Sequence, residues 1–376
     1  MKKNMNIGLV TFPIERSGVV PLNNMLTIFS EIVEGDIHLI SGNRVDELNV
    51  KNARIRIQCL YHEMGKNPLS RLKNYLITQM RIAYNMWLIR HNVDSWYFYF
   101  GGELLVFPLL MGKLTRKPVL LHFPNSCVND VKAKGGEFHP FIWIISELNC
   151  NLADRLIVAS EDMISMFGLN KYSDKVYFVN EYFVDSTSFK VSREFESRNN
   201  IVGFIGRLSE EKGILNFIQA IPLILDQNPD LNFFIGGDGP LYDHLNGYIT
   251  EYALSTRVMF IGWVNHEDLS EYLNRLRLLV VPSYSEAGPI IAYEALACGT
   301  PVLGTRVGCI LMSLEDGVSG YLLRDNTPEC IAENVVRVLN SPDLGRVSEA
   351  GKRFAEENFS FESAVARWRR VLEEMW

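Results

Sequence analysis

Residues 283–305 read Ser-Tyr-Ser-Glu-Ala-Gly-Pro-Ile-Ile-Ala-Tyr-Glu-Ala-Leu-Ala-Cys-Gly-Thr-Pro-Val-Leu-Gly-Thr, and their order decides the fold class. The apolar run Leu278–Val281 just before them has the length of a buried strand. Pro282 and Ser283 stop it. Gly288 and Pro289 open a helix, with proline near the first helical position. Gly299 stands where that helix ends, and a second strand follows over 301–305. Strand, loop, helix, strand is the unit of a parallel sheet. Glu286 falls in the loop and Glu294 on the helix. The free amides at the helix start, around Ile290, favour an anion. Glu294 lies inside a mostly apolar helix, where a carboxylate needs a partner. Two glutamates eight apart around a helix start suit a polyhydroxylated ligand that carries phosphate. Taken alone, they suit equally an acid complementing the helix dipole and a solvated glutamate.

Two upstream stretches carry the same signature. Residues 201–213 read Ile-Val-Gly-Phe-Ile-Gly-Arg-Leu-Ser-Glu-Glu-Lys-Gly. This is a strand running into Gly206, then Arg207, a polar turn, Lys212, Gly213 and a helix. A glycine-flanked loop at a strand's carboxyl end is where doubly wound sheets bind ligands, and two cations there suit a diphosphate. Residues 233–241, Phe-Phe-Ile-Gly-Gly-Asp-Gly-Pro-Leu, form another strand ending in a glycine turn that holds Gly239.

Together the three stretches resemble the nucleotide-sugar-binding domain of retaining glycosyltransferases of family 4. The motifs that carry the resemblance are Gly206-Arg207 with Lys212-Gly213; Gly237-Asp238-Gly239-Pro240; Glu286 with Glu294; and Ala297-Cys298-Gly299-Thr300-Pro301-Val302. One departure is Ala287, where the family usually has glycine directly after the first glutamate. The resemblance implies the GT-B fold, α/β, with two Rossmann-like doubly wound domains facing across a cleft. It also implies Arg207 and Lys212 on the diphosphate, Glu286 on the donor sugar and Glu294 on the ribose. Gly262 and Val264, after a strand at 258–261, would lie by the base. Gly288, Pro289 and Ile290 would face the diphosphate, and Gly206, Gly239 and Gly18 would line the donor site.

Composition sets bounds. The chain has 376 residues, 47% apolar and 22% charged, enough for two domains with sizeable cores. Six cysteines show no paired spacing and read as reduced, mostly buried thiols in a cytosolic protein. No signal peptide or membrane span is expected. Residues 1–185 hold 20 Lys/Arg and 18 Asp/Glu, net +2; the rest holds 17 and 26, net −9. Residues 51–90 alone hold eight basic residues and one acid. That balance argues against nucleic acid as a partner and permits a local anionic one.

The first domain is expected over 1–185, a linker over 186–199, the second domain over 200–358, and over 359–376 a helix packing back on the first. The first loop, 13–21, carries Gly18, and a helix begins near Asn23. A long helix covers 68–90, with Leu72, Leu76, Met80, Ala83 and Trp87 as its buried stripe. His122 ends the strand 119–122 and is expected to face the crevice, where it can donate to a sugar hydroxyl. In the resemblance it is a histidine near the donor sugar, with Asn125 and Ser126 beside it. Asn180-Glu-Tyr-Phe-Val-Asp185 is two residues longer than the family's turn at the domain boundary.

The expected activity is transfer of a sugar from a nucleoside diphosphate donor, with retention, to a glycan or lipid-linked acceptor. No Asp-x-Asp occurs, so no metal or other cofactor is expected, and Arg207 and Lys212 take the metal's place. Residues 51–90 are expected to rest on an anionic membrane surface. Two alternatives stand: a nucleotide-sugar epimerase or hydrolase using Glu103, Glu137 or His139, and a binding subunit without turnover.

Overall fold

The computed structural model describes residues 5–15, 18–49, 52–124, 139–159, 161–284, 288–307 and 314–375. They form two units. The first comprises Met1–Tyr182 with Ala364–Trp376, and the second Phe183–Ser363.

In the first unit the strands are β1 (Ile7–Val10), β2 (Ile37–Gly42), β3 (Ile55–Leu60), β4 (Ser95–Phe98), β5 (Val119–Phe123), β6 (Arg155–Val158) and β7 (Val176–Phe178). All pair in parallel, in the order β3-β2-β1-β4-β5-β6-β7. Central strands of such a sheet are covered on both faces and read as continuous apolar runs; β1 and β4 are buried at every position. The helices are α1 (Val19–Ile32), α2 (Pro68–Ile89), α3 (Val106–Leu114), α4 (His139–Leu152) and α5 (Asp162–Met166). Helix α1 starts four residues earlier than expected. Pro21 sits in its first turn, where a missing N–H costs nothing; it does not mark a loop.

Helix α2 spans the expected residues but turns the other way. Its buried residues are Thr78, Gln79, Ile82, Ala83, Met86 and Ile89. Of the expected stripe only Ala83 is inside; Leu72, Leu76, Met80 and Trp87 are exposed. Polar anchors set this rotation. His62 Nδ1 lies 2.8 Å from the Thr78 hydroxyl, and the Phe107 N–H donates to Gln79 Oε1 at 3.1 Å.

In the second unit the strands are β8 (Ile201–Ile205), β9 (Asn232–Gly236), β10 (Val258–Gly262), β11 (Leu278–Val281), β12 (Val302–Thr305) and β13 (Tyr321–Leu323). They too are all parallel, in the order β10-β9-β8-β11-β12-β13. The helices are α6 (Ile214–Gln227), α7 (Tyr242–Glu251), α8 (His266–Arg275), α9 (Ile290–Ala297), α10 (Pro328–Leu339) and α11 (Leu344–Phe359). Phe217, Ile221, Phe233, Ile235 and Leu278 lie in the core they enclose. The last helix, α12 (Phe361–Met375), belongs from Ala364 onward to the first unit.

The expected linker, 186–199, is folded into the second unit. Arg198 is buried and donates to Thr300 Oγ1 and to the Cys298 carbonyl, both at 2.6 Å. Five donors on one guanidinium turn a segment that looks merely polar into an anchored one. Cys150, Cys298 and Cys330 are buried free thiols, while Cys59 is exposed.

Candidate active site

The strand order of the second unit reverses between β8 and β11, and ligands of doubly wound sheets bind at that switch point. The loop after β8 carries Gly206, Arg207 and a short 3-10 turn, Glu210–Lys212. Gly213 then adopts φ 69° to start α6, and a Cβ there would lie 2.0 Å from the Pro282 carbonyl oxygen at the end of β11. Only glycine lets the two loops come this close. They are tied again where the Tyr284 N–H donates to the Glu211 carbonyl at 2.9 Å. Arg207 extends into solvent, its side chain 65% exposed and 3.9 Å from Glu211. The sequence reading missed Glu211. Burial pushes this acid's pKa up, but the Ser209 hydroxyl at 2.7 Å and the neighbouring cations outweigh that and lower it. The cationic loop thus carries its own counter-charge.

The loop after β9 joins this edge through its backbone. The Leu208 N–H donates to the Asp238 carbonyl at 2.9 Å and the Leu241 N–H to the Leu208 carbonyl at 3.0 Å. A Cβ on Gly239 would meet Leu208 backbone atoms at 2.5–2.9 Å, so a side chain is excluded there. Gly262 closes the row: its carbonyl accepts from the Gly237 N–H at 2.6 Å. Val264 fills the space beside Gly236, where a Cβ would meet its Cγ2 at 2.7 Å. Trp263 is exposed, not in the core.

Past β11, Glu286 lies outside the described residues, as do its neighbours Ser285 and Ala287. Pro289 caps α9 without a side-chain hydrogen bond, so Ile290 is the first helical residue and Gly288 stands just outside. Glu294 is buried inside α9, and its Oε1 lies 2.7 Å from His266 Nε2. His266 is the first residue of α8, with Phe189 packed edge-on to its ring at 5.1 Å. The Glu294 hydrogen bond raises the His266 pKa; burial opposes it and the charge of Asp185 adds to it. Sequence reading passed over His266. The available signal was a histidine one residue past the cap of a helix that follows the base-side loop.

In the first unit, Gly18 precedes α1 and its N–H donates to the Glu15 carbonyl at 2.9 Å. Its φ of −87° is open to any residue. His122 stands near the end of β5, but its side chain lies on the sheet face and not off the strand end. Alternation along the strand sets this direction. Trp368 of α12 has its ring 5.9 Å from the imidazole, and Tyr97 Oη lies 2.6 Å from His122 Nδ1. Nε2 is buried without a hydrogen bond, 3.7 Å from Glu181 Oε2, and the Tyr99 hydroxyl donates to Glu181 Oε1. Burial lowers His122 to about 3, and burial lifts Glu181 to about 7 against the pull of Tyr99. Glu103 is also buried, 3.3 Å from the Ser146 hydroxyl. Asn125, Ser126, Glu137 and the side chain of His139 lie outside the described part.

The second unit therefore brings Gly206, Arg207, Lys212, Gly239, Gly262, Val264, Gly288, Pro289, Ile290 and Glu294 to the loops and helix that follow four neighbouring strands. Residues 185–358 match the family described as glycosyl transferases group 1. The chain is 26% identical over 355 residues to an uncharacterized glycosyltransferase of Methanocaldococcus jannaschii, covering 90% of each. It is 24% identical to the N-acetyl-alpha-D-glucosaminyl L-malate synthase of Bacillus anthracis, over 98% of this chain and 96% of that one. Among solved structures, HepE of Anabaena in complex with UDP superposes with a TM-score of 0.79 at 16% identity, covering 98% of this chain and all of that one. The same protein has also been solved with UDP-glucose. Residues 185–358 thus match the model of the group 1 glycosyl transferases, and the chain as a whole has the GT-B fold and is similar along most of its length to glycosyltransferases.

Proposed function

We propose that the chain transfers a hexosyl or N-acetylhexosaminyl group from a nucleoside diphosphate sugar, with retention at the anomeric carbon and without a metal. The observation that carries this is the joined pair of loops at the β8/β11 switch. One brings Arg207 and Lys212, and the other leads into the uncapped start of α9. Cations and free helix amides on adjoining loops can stabilise the charge that grows on a leaving diphosphate. Glu294 then takes the ribose hydroxyls and Glu286 those of the sugar. A phosphate oxygen of the leaving group accepts the acceptor hydroxyl's proton as the new glycosidic bond forms, so no side-chain base is required. His122 takes no part in this step, because its side chain is buried beside Trp368 with Nε2 towards Glu181. That HepE binds UDP and UDP-glucose supports a uridine donor as the first to try. The test is release of nucleoside diphosphate from UDP-, GDP- and ADP-sugars, with and without lipid and sugar acceptors. Release that depends on acceptor is expected. Conversion of the donor sugar with no acceptor present would favour an epimerase or hydrolase.

The acceptor side rests on the outer face of the first unit. Leu69, Leu72, Leu76, Met80, Tyr84 and Trp87 recur every three or four residues along α2, and all are exposed, Leu69 by 81%. Phe107, Leu110 and Leu114 repeat the pattern on α3, which packs against α2. Arg71, Lys73 and Arg81 are exposed among them. Monomeric proteins rarely expose so much apolar surface without using it, and basic residues beside it match an anionic leaflet at about 1 kcal/mol each. Among the described residues no helix is long and apolar enough to cross a membrane. We infer peripheral attachment at the cytoplasmic face, with a lipid-linked or glycan acceptor.

A further inference from the structure

Glu294 is a carboxylate inside an apolar helix, with Tyr293, Ala295 and Leu296 buried around it. A buried carboxylate is held in one rotamer only where a donor meets it. Here the donor is His266 Nε2 at 2.7 Å. The imidazole is itself held, with Phe189 against its edge and Asp185 adding to the field that favours its protonated form. An ionised carboxylate offers about four acceptor positions, and one such bond uses a single lone pair on Oε1. Among the described residues His266 is the one hydrogen-bond partner of this carboxylate, so the rest of Oε1 and Oε2 can accept from a ligand.

We propose that His266 is a positioning residue for nucleotide recognition: its bond to Oε1 fixes the Glu294 carboxylate so that the remaining lone pairs accept from a vicinal diol such as that of a ribose. The inference rests on the reading of Glu294 as the ribose ligand and adds the residue that orients it. A diol with both hydroxyls donating needs a carboxylate that is ionised and fixed in orientation. A charge-assisted hydrogen bond supplies the fixed orientation, at about twice the strength of a neutral one. Without His266 the carboxylate would lose the bond that fixes its rotamer and would turn, and the diol would lose an acceptor.

The test pairs each of UDP, ADP and GDP with its 2′,3′-dideoxy form and measures binding by calorimetry to the full chain and to Glu294→Gln, His266→Leu and His266→Gln. The unsubstituted protein should favour the diol form of the nucleotide it binds. His266→Leu should weaken that form about tenfold and leave the dideoxy form unchanged, because His266 acts only through the hydroxyls. Glutamine can offer an N–H near the position of Nε2, so His266→Gln should recover most of the loss. Equal weakening of both ligands would mean that His266 only supports the fold and would overturn the proposal, as would no weakening of either. If Glu294→Gln leaves the diol preference intact, the ribose reading itself fails. If Glu294→Gln abolishes the preference while His266→Leu does not, only the positioning role fails.

Discussion

At the residue scale, charge placement decides more than residue identity. Glu181 and His122 are both buried, yet burial shifts them in opposite senses because it penalises whichever form is charged. Glu181 is raised from 4.5 to about 7, so the folded state keeps a proton that the unfolded chain releases. Its contribution is fully present below pH 4.5 and is lost as pH rises through 7. His122 is lowered from 6.5 to about 3, so its contribution is present above 6.5 and is lost as pH falls towards 3. Glu181→Gln keeps the neutral, hydrogen-bonding form at all pH. Its melting temperature should therefore gain on the unsubstituted protein between pH 4.5 and 7, the window of the Glu181 titration. A constant difference across that range, in parallel thermal melts, would show that Glu181 does not titrate there. At the other site, Arg207→Ala and Lys212→Ala should each lose about 2–4 kcal/mol of transition-state stabilisation with unchanged circular dichroism. Arg207 is mostly exposed, so its removal leaves no cavity. Near-normal turnover in both variants would discard the diphosphate assignment.

At the element scale, α2 shows how an apolar stripe can be legible and still be assigned to the wrong side. Leucine, methionine and tryptophan at helical spacing read as core, but the helix is rotated by hydrogen bonds to Thr78 and Gln79. Two polar side chains pointing inward leave part of the apolar stripe outside. If Leu72 and Met80 were core residues, their truncation would cost about 2–5 kcal/mol each. As exposed residues, Leu72→Gln and Met80→Gln should change stability by no more than about 0.5 kcal/mol, measured by urea unfolding. The double variant that combines Leu72→Gln and Met80→Gln should lose co-sedimentation with vesicles containing anionic lipid. Unimpaired vesicle binding, or a failure of the unsubstituted protein to prefer anionic over neutral vesicles, would end the membrane proposal.

At the scale of the whole molecule, chain order and unit membership part company. Residues 364–376 are last in the sequence but belong with the first unit. Trp368 anchors them there, fully buried against Phe29 at 5.4 Å and Tyr97 at 5.9 Å, with its indole N–H donating to the Asn180 carbonyl at 2.9 Å. Trp368→Ala should cost about 3–5 kcal/mol. A loss below 1 kcal/mol in denaturant titration would mean that the helix is not docked in solution. Metal chemistry can be judged at this scale too. Arg207 and Lys212 bring two cations to the loop proposed to hold the diphosphate. Donor turnover should therefore survive a chelator, and a strict requirement for added magnesium or manganese would count against Arg207 and Lys212 as the diphosphate ligands.

The sequence by itself determined the parallel α/β architecture, because strand, glycine loop and helix repeat with a period that only crossover connections satisfy. It also determined the loop glycines around the β8/β11 switch: Gly213 and Gly239 sit where backbone approaches backbone, and no other residue fits. Local chemistry was enough in both cases. Tertiary structure alone decided which face of α2 is inside, that residues 186–199 are anchored by Arg198, and that His122 lies beneath Trp368. It alone brought His266 to Glu294, 28 positions apart, and Glu181 to Tyr99, 82 apart. Apart from the ring contact of Trp368, each of these is a polar contact between distant segments. Such contacts leave no periodic trace in the chain, since a hydrogen bond needs one partner at one place and not a repeated pattern.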